Sequence, residues 1–490
     1  MKNIEFAPKV QVKNKKILSL VYTPGVAESC LKIQDDLEKV FELTNRSNQV
    51  AVLSYNLEES TKRAVFLKET RTTDAIPLVI KKCSKEEFQM VEEAIMPNFM
   101  GVDTTLTKGL PFDNDEFIPT CSKGCVLPDF IKIENMQPIE LRSAFGGVLE
   151  TRVVESSKQI KPVAIISDGS AVLGLGNIGS WAGLPVMEGK AVLFKELGEV
   201  NALPLCLATQ DINKIKKIAY LLEDSFSGIN LEDIKAPECF NIETFLIQNL
   251  KIPVFHDDQH GAAIVVLAGL YNALRLVKKR IENVKIAISG AGAAGQATCR
   301  LLLKAGAKNI IMTDVYGIVY KGRKENDKSL DDISKITNLD NIKGGLKEAL
   351  QGADVFIGLS AGNILREDMV KDMAEDSIVF ALANPTPEIM PNLAKRAGVR
   401  VYASGRSDFP NQLNNSLVFP GLFKGIIDSG ANKITDEIKI MTAKTLAGMV
   451  YDDELDEDYI IPDAIDYRVA KNISASIINH VRNFTTEHRK

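Results

Sequence analysis

The sequence predicts an α/β protein organised on a doubly wound parallel sheet, and three observations carry that expectation. Short, continuous apolar runs such as Pro162-Val-Ala-Ile-Ile-Ser167 recur along the chain, as strands buried on both faces require. Stretches with helical periodicity alternate with them, which is the pattern of successive βαβ units. One glycine cluster, Gly290-Ala-Gly-Ala-Ala-Gly295, lies directly between a strand-like run and a helix-like one.

In chain order, residues 19–55 open with the turn Tyr22-Thr-Pro-Gly-Val-Ala27, then an amphipathic helix over 28–40 and a strand over 48–54. From about residue 56 to 159 the texture changes. Short apolar and charged pieces alternate there: Arg63-Ala-Val-Phe-Leu67, Ile76-Pro-Leu-Val-Ile80 and a helix near 85–95, with no motif tied to chemistry. Strands are expected at 162–167 and 202–207, and helices at 189–197 and 211–224. Pro253-Val-Phe255 reads as a short buried strand and 262–279 as a long, mostly buried helix. The clearest βαβ unit runs from 284–289 through a helix at 296–305 to Asn309-Ile-Ile-Met-Thr313, followed by strands at 353–359, 378–383 and 399–403. From 434 onward the chain reads as helical, broken by the acidic stretch 452–458.

Composition narrows the function classes. The 490 residues suffice for two to four domains with substantial cores. The net charge of −5 lacks the basic excess of a nucleic-acid surface, and no uncharged run is long enough to span a membrane. The basic N-terminus has no apolar segment behind it, so no secretory signal is expected. Seven scattered cysteines fit a reducing cytoplasmic setting. Cys121 and Cys125 form a lone pair, and the four histidines all lie elsewhere, so structural zinc is not expected.

Two carboxylate pairs mark the candidate centre. Asp257 and Asp258 sit at the strand-to-helix junction within Ile252-Pro-Val-Phe-His-Asp-Asp-Gln-His-Gly261, where α/β proteins often hold their chemistry. Capping of the following helix would account for one of them. Upstream, Glu232 and Asp233 end another apolar stretch. Three or four convergent carboxylates are costly to bury without a cation, and oxygen ligands suit Mg²⁺ or Mn²⁺.

Of two G-x-G-x-x-G matches, Gly174-Leu-Gly-Asn-Ile-Gly179 does not follow its strand directly. The Ser-Trp-Ala-Gly-Leu-Pro-Val behind it is a poor helix start for a pyrophosphate, so it reads as a tight loop on the substrate side. Gly290-Ala-Gly-Ala-Ala-Gly295 has the right context for a Rossmann-type fold. Gly290 permits the turn, Gly292 lets the backbone approach the pyrophosphate, and Gly295 allows helix and strand to close up, with Ala293 and Ala294 between them counted among the cofactor-binding residues. Asp314 ends the next strand, where a carboxylate would bond the adenosine ribose and repel a 2′-phosphate, favouring NAD over NADP.

Taken together, Tyr22-Thr-Pro-Gly-Val-Ala27, Ser167-Asp-Gly-Ser-Ala-Val-Leu-Gly-Leu-Gly-Asn-Ile-Gly179, Pro185–Lys195, Gly228–Pro237, His256–Gly261, Ser360-Ala-Gly362 and Ala383-Asn-Pro-Thr-Pro387 closely resemble malic enzymes of the shorter bacterial type. The resemblance covers roughly 19–55 and 160–480, and the stretch 56–159 departs from it as an insertion. It implies metal-dependent oxidative decarboxylation of L-malate to pyruvate and CO₂ with NAD⁺, or NADP⁺. It also implies Glu232, Asp233 and Asp258 as ligands of Mg²⁺ or Mn²⁺, Lys190 as the base with Asp257 beside it, and Tyr22 as the acid that protonates enolpyruvate. Asn384 and Asn415 match substrate contacts, and Ser360 and Asn384 belong with the cofactor residues. As base, Lys190 would need a lowered pKa. The Asp-Gly loop carries Ser170-Ala171 where larger relatives place a malate-binding arginine. Alternatives are a malolactic-type decarboxylation to lactate and a catalytically silent binding homologue.

The expected organisation is a substrate domain over 1–275 with an inserted α/β subdomain at about 56–159, a Rossmann domain over 276–435, and C-terminal helices over 436–490 returning to the substrate domain. The insertion is expected to serve subunit contacts or regulation. The expected assembly is a homodimer or homotetramer with a small-molecule substrate.

Overall fold

The helix expected at 28–40 and the strand expected at 48–54 lie outside the described residues; each other apolar run placed in a sheet by the sequence becomes a strand, with ends moved by at most two residues. The computed structural model describes residues 161–487, with side chains to 483, together with 63–65, 78–80, 87, 90, 91, 94 and 95. These residues separate into two compact units.

One unit holds β1 (Arg63–Val65) and β2 (Leu78–Ile80), an antiparallel pair with Arg63 opposite Ile80. Helical residues between 87 and 95 bury Val91, Ala94 and Ile95, and the backbone N–H of Ala208 donates to the Ala94 carbonyl at 3.0 Å. These three pieces are those expected within 56–159; its other residues lie outside the described ones. The same unit contains α2 (Ile212–Leu221), capped by Asp211, whose carboxylate accepts from the N–H of Asn213 at 2.8 Å.

The larger unit comprises 164–204 and the residues from 228 onward. A four-stranded sheet has the order β4-β3-β5-β6, with β3 at Val163–Ser167, β4 at Ala202–Cys206, β5 at Gly228–Leu231 and β6 at Val254–His256. Every residue of β3, β5 and β6 is buried, which is why these runs carry no polar alternation. Helix α1 (Gly179–Gly198) follows β3, α3 (Glu238–Asn249) follows β5, and α4 (Ala262–Leu276) follows β6. Apolar on nearly all sides, α4 is buried accordingly. The expected start of α1 is corrected: it begins at Gly179, not near 189, and runs through Pro185.

The six-stranded sheet has the order β12-β11-β10-β7-β8-β9. The strands are β7 (Lys285–Ser289), β8 (Asn309–Asp314), β9 (Gly317–Ile318), β10 (Val355–Gly358), β11 (Ile378–Ala381) and β12 (Val401–Ser404). All pair in parallel except the short hairpin of β8 with β9. The strand order reverses between β7 and β10, the switch point at which such sheets bind ligands. Helix α5 (Ala293–Lys304) links β7 to β8. Among the shorter helices are α6 (Lys328–Ser334), α7 (Leu346–Leu350), α8 (Glu367–Val370) and α9 (Pro391–Ala397).

Three C-terminal helices complete the unit: α10 (Phe419–Ser429), α11 (Asp436–Ala447) and α12 (Tyr467–Glu487). α12 packs on α10 so closely that a Cβ at Gly421 would lie 2.7 Å from Ala470. Buried Asn272 of α4 donates to the carbonyls of Ala447 and Ile460, fastening this region to the core. Among the described residues no helix is long and apolar enough to cross a membrane.

Candidate active site

Parallel pairing of β5 with β6 sets Leu231 opposite His256. The residues that leave each strand, Glu232-Asp233 and Asp257-Asp258, therefore emerge side by side at the C-terminal edge of the sheet. One carboxylate oxygen from each of Glu232, Asp233 and Asp258 lies within 4.8 Å of the others. Asp258 Oδ2 accepts from the backbone N–H of Asp233 at 2.8 Å, and Asn230 Nδ2 donates to Glu232 Oε2 at 2.9 Å. The Asp-Gly loop is stitched to the same edge: the Ala171 N–H donates to the Asp233 carbonyl and the Lys235 N–H to Ser170 Oγ, both at 2.9 Å. Thus Ser170 holds backbone here.

Lys190 comes from α1, whose buried stripe of Gly183, Met187, Lys190 and Phe194 follows helical spacing. Its ammonium lies 2.5 Å from Asp257 Oδ2, 2.6 Å from Glu232 Oε2 and 4.2 Å from the centre of the Phe419 ring. The protein groups alone do not supply the lowered pKa that a base role for Lys190 needs. Burial alone would lower it, but the Asp257 and Glu232 carboxylates outweigh burial and hold the lysine charged, above its ordinary range.

The acids respond to burial first. It pushes Asp233 up to about 7, with Asp258 adding to the rise. It raises Glu232 well above the carboxylate range and Asp257 in the same direction, while Lys190 opposes both shifts. Buried acids driven toward protonation, with oxygen-only donors converging, fit a hard divalent cation such as Mg²⁺ or Mn²⁺.

The turn 257–261 that carries Asp257 and Asp258 is a single π-helical turn. At Gly261 a Cβ would come within 2.0 Å of Asp257 Oδ1, so glycine is what lets that carboxylate lie over the turn. From α3, Glu243 accepts from Gln259 Nε2 at 3.0 Å and pairs with His260 Nε2 at 2.8 Å. Burial works against its ionisation, but His260 wins and holds its pKa at about 2. Asn415 Nδ2 reaches the Asp257 carbonyl at 3.4 Å. His256 is fully buried with neither ring nitrogen hydrogen-bonded, and burial lowers its pKa.

At the second glycine fingerprint, Gly290 has φ +107° and a Cβ there would strike the Leu359 carbonyl at 2.2 Å. A Cβ at Gly295 would lie 1.8 Å from the Gly290 carbonyl, whereas Gly292 faces open space, as close approach of a pyrophosphate requires. Ala293 and Ala294 open α5 behind it. Ser360 Oγ sits 3.0 Å from Ser289 Oγ at the ends of β10 and β7. The first fingerprint is a tight loop with positive φ at Gly174, Gly176 and Gly179, and its Gly174 lies against Pro385 and the Asn384 carbonyl.

Asp314 ends β8 as expected, but its carboxylate is already engaged. Arg323, buried, donates through both terminal nitrogens to its two oxygens, and the Tyr316 N–H donates to Oδ1 at 2.8 Å. Nothing in the sequence distinguishes Arg323 from its neighbours Lys321 and Lys324. Asn230 and Glu243 were missed likewise, although Asn230 stands two residues before Glu232. The structure brings together Lys190, Glu232, Asp233, Asp257, Asp258 and Asn415. It places Asn384 after β11, beside Gly174 and Gly405. Tyr22 lies outside the described residues.

Comparison with known proteins agrees with this geometry. The family model "Malic enzyme, NAD binding domain" matches residues 259–484, and "Malic enzyme, N-terminal domain" matches residues 130–247. The NAD-dependent malic enzyme of Geobacillus stearothermophilus is 51% identical over 316 residues, 64% of this chain and 66% of that protein. The bifunctional malic/malolactic enzyme of Bacillus subtilis is 47% identical over 363 residues, 71% of this chain and 88% of that protein. The chain belongs to the malic enzyme family. The crystal structure of the NAD-dependent malic enzyme from Thermotoga maritima is similar at a TM-score of 0.65 and 43% identity, over 71% of this chain and 94% of that one. Malic enzymes named as NADP-dependent match as well. The N-terminal family match begins at residue 130, inside the stretch 56–159 set apart in the sequence.

Proposed function

We propose that this chain converts L-malate to pyruvate and CO₂ with reduction of NAD⁺ or NADP⁺, using Mg²⁺ or Mn²⁺ held by Glu232, Asp233 and Asp258. The observation that carries the reading is the buried contact of Lys190 with Asp257 and Glu232 beside that carboxylate cluster. A cation held by these three carboxylates would supply Lewis acidity that makes the malate hydroxyl more acidic. Lys190 Nζ takes the hydroxyl proton after passing its own to the adjacent Asp257, whose carboxyl pKa burial raises, and Asp257 keeps the resulting ammonium in place. Burial of Lys190 and Asp257 keeps water from competing for that proton. Asn415 braces the turn that bears Asp257. Asn384 and Ser360 serve substrate and cofactor at the ends of β11 and β10, and Tyr22 supplies the closing proton to enolpyruvate.

On the cofactor, Arg323 neutralises the charge with which Asp314 would repel a 2′-phosphate. NAD remains the preferred cofactor in this reading, because Arg323 spends its charge on Asp314 and offers none to a 2′-phosphate. The proposed domain division is 1–275 for the substrate, with 56–159 inserted for subunit contacts or regulation, 276–435 for the dinucleotide, and 436–490 returning to the substrate domain. A cytoplasmic homodimer or homotetramer completes the proposal. Incubation with L-malate, NAD⁺ and Mn²⁺ tests it: NADH and pyruvate are expected. Lactate without NADH would instead establish the malolactic reading favoured by the Bacillus subtilis relative's name, and no product would leave a silent homologue.

A further inference from the structure

The buried acid outside the metal cluster with the most directed surroundings is Glu388. Its side chain is fully buried between the loops that follow β10 and β11. Oε1 accepts from the Ser360 backbone N–H at 3.1 Å and Oε2 from the Ala383 N–H at 3.0 Å. The backbone around it repeats the bridge, since the Asn363 N–H donates to the Pro387 carbonyl at 3.0 Å and the Leu365 N–H to the Glu388 carbonyl at 2.9 Å. Room for the carboxylate comes from Gly358, where a Cβ would lie 2.3 Å from Glu388 Cδ. Burial raises the carboxyl pKa, and the opposing influences are backbone N–H groups rather than a cation.

We infer that Glu388 is a positioning residue that locks the Ser360 and Asn384 loops in register for dinucleotide binding. The inference rests on the proposed role of those two residues in the site. One carboxylate satisfies a backbone donor from each loop, Ser360 at the exposed end and Ala383 at the buried one. The two ends of adjacent parallel strands are thereby fixed to a single side chain, so neither loop moves without the other. A lysine or arginine would not serve, because both bridged groups are donors. Glutamine is the informative replacement: of the same shape, it offers an amide N–H₂ to one of the two N–H groups and breaks that half of the bridge.

In the full chain, Glu388→Gln is expected to weaken NAD⁺ binding by about ten-fold or more, about 1.4 kcal/mol, while Mn²⁺ affinity stays within about two-fold of wild type. Titration calorimetry with each ligand reads this without turnover, so it stands apart from whether the chain oxidises malate. Unchanged NAD⁺ affinity, or equal losses for NAD⁺ and Mn²⁺, would overturn the inference. Amide hydrogen exchange on the wild type supplies a second test. Ser360 and Ala383 are expected to be protected without ligand, and rapid exchange at either would overturn the bridge.

Discussion

Replacing Lys190 by alanine separates a proton-transfer role from a structural one, because the structure makes opposite demands on the two. The ammonium lies within 2.6 Å of two buried carboxylates, from Asp257 and Glu232. Removing one partner of such a buried arrangement costs about 3–5 kcal/mol, so the metal-free variant is expected to lose that much unfolding stability. Turnover of malate is expected to fall by about 10²–10⁴, the scale of losing a general acid–base group. Metal binding runs the other way. Lys190 competes with any cation for Glu232, and unit charges about 4 Å apart at an effective dielectric near 20 repel by roughly 4 kcal/mol. Mn²⁺ affinity is therefore expected to hold or tighten, and added Mn²⁺ to recover part of the lost stability. Steady-state kinetics, Mn²⁺ calorimetry and urea unfolding with and without Mn²⁺ measure the three quantities. Near-normal turnover, or Mn²⁺ affinity that collapses along with the rate, would refute the assignment.

Asp258→Asn is expected to weaken Mn²⁺ far more than NAD⁺, since a neutral amide replaces an anionic hard-cation ligand; equal titration curves for wild type and variant would remove Asp258 from the set. Asp314→Ala leaves the buried Arg323 cation unpaired, so preference should move toward NADP⁺ by roughly 1–3 kcal/mol, read from kcat/KM with each cofactor. A move toward NAD⁺ would contradict the pairing. Glu243 has its folded pKa at about 2 against an ordinary 4.5, so it stabilises the fold above pH 4.5 and loses that contribution as pH falls from 4.5 to 2. That is roughly 3 kcal/mol at about 1.4 kcal/mol for each unit. Urea unfolding of Glu243→Gln should show a shallower acid slope, and an identical slope would count against the pair.

How far the sequence reached depends on the kind of information each feature needs. The buried strands were legible because continuous apolar runs such as Val163–Ser167 have few other uses, and Gly290 to Gly295 because each glycine answers a local backbone demand. The carboxylates at 232–233 and 257–258 announced themselves as adjacent pairs ending such runs. What stayed hidden was long-range: Arg323 on Asp314, Glu243 beneath the turn, Glu388 between two loops and the charge state of Lys190. Each depends on which side chain meets which in three dimensions, and isolated charged residues look alike in a sequence. Helix α1 defeated local reasoning for a related reason. Its glycines and Pro185 disfavour a helix from Gly179, yet Met187, Lys190 and Phe194 gain burial from that path.

The most direct test of a metal-dependent malate site is add-back of Mn²⁺ to metal-stripped protein in the presence of L-malate and NAD⁺, with NADH and pyruvate quantified together. The expected result is no turnover without the cation and equal amounts of NADH and pyruvate with it, abolished in Asp258→Asn. Turnover that persists without any divalent cation, or that survives unchanged in Asp258→Asn, would contradict the assignment of Glu232, Asp233 and Asp258 as the centre of the reaction.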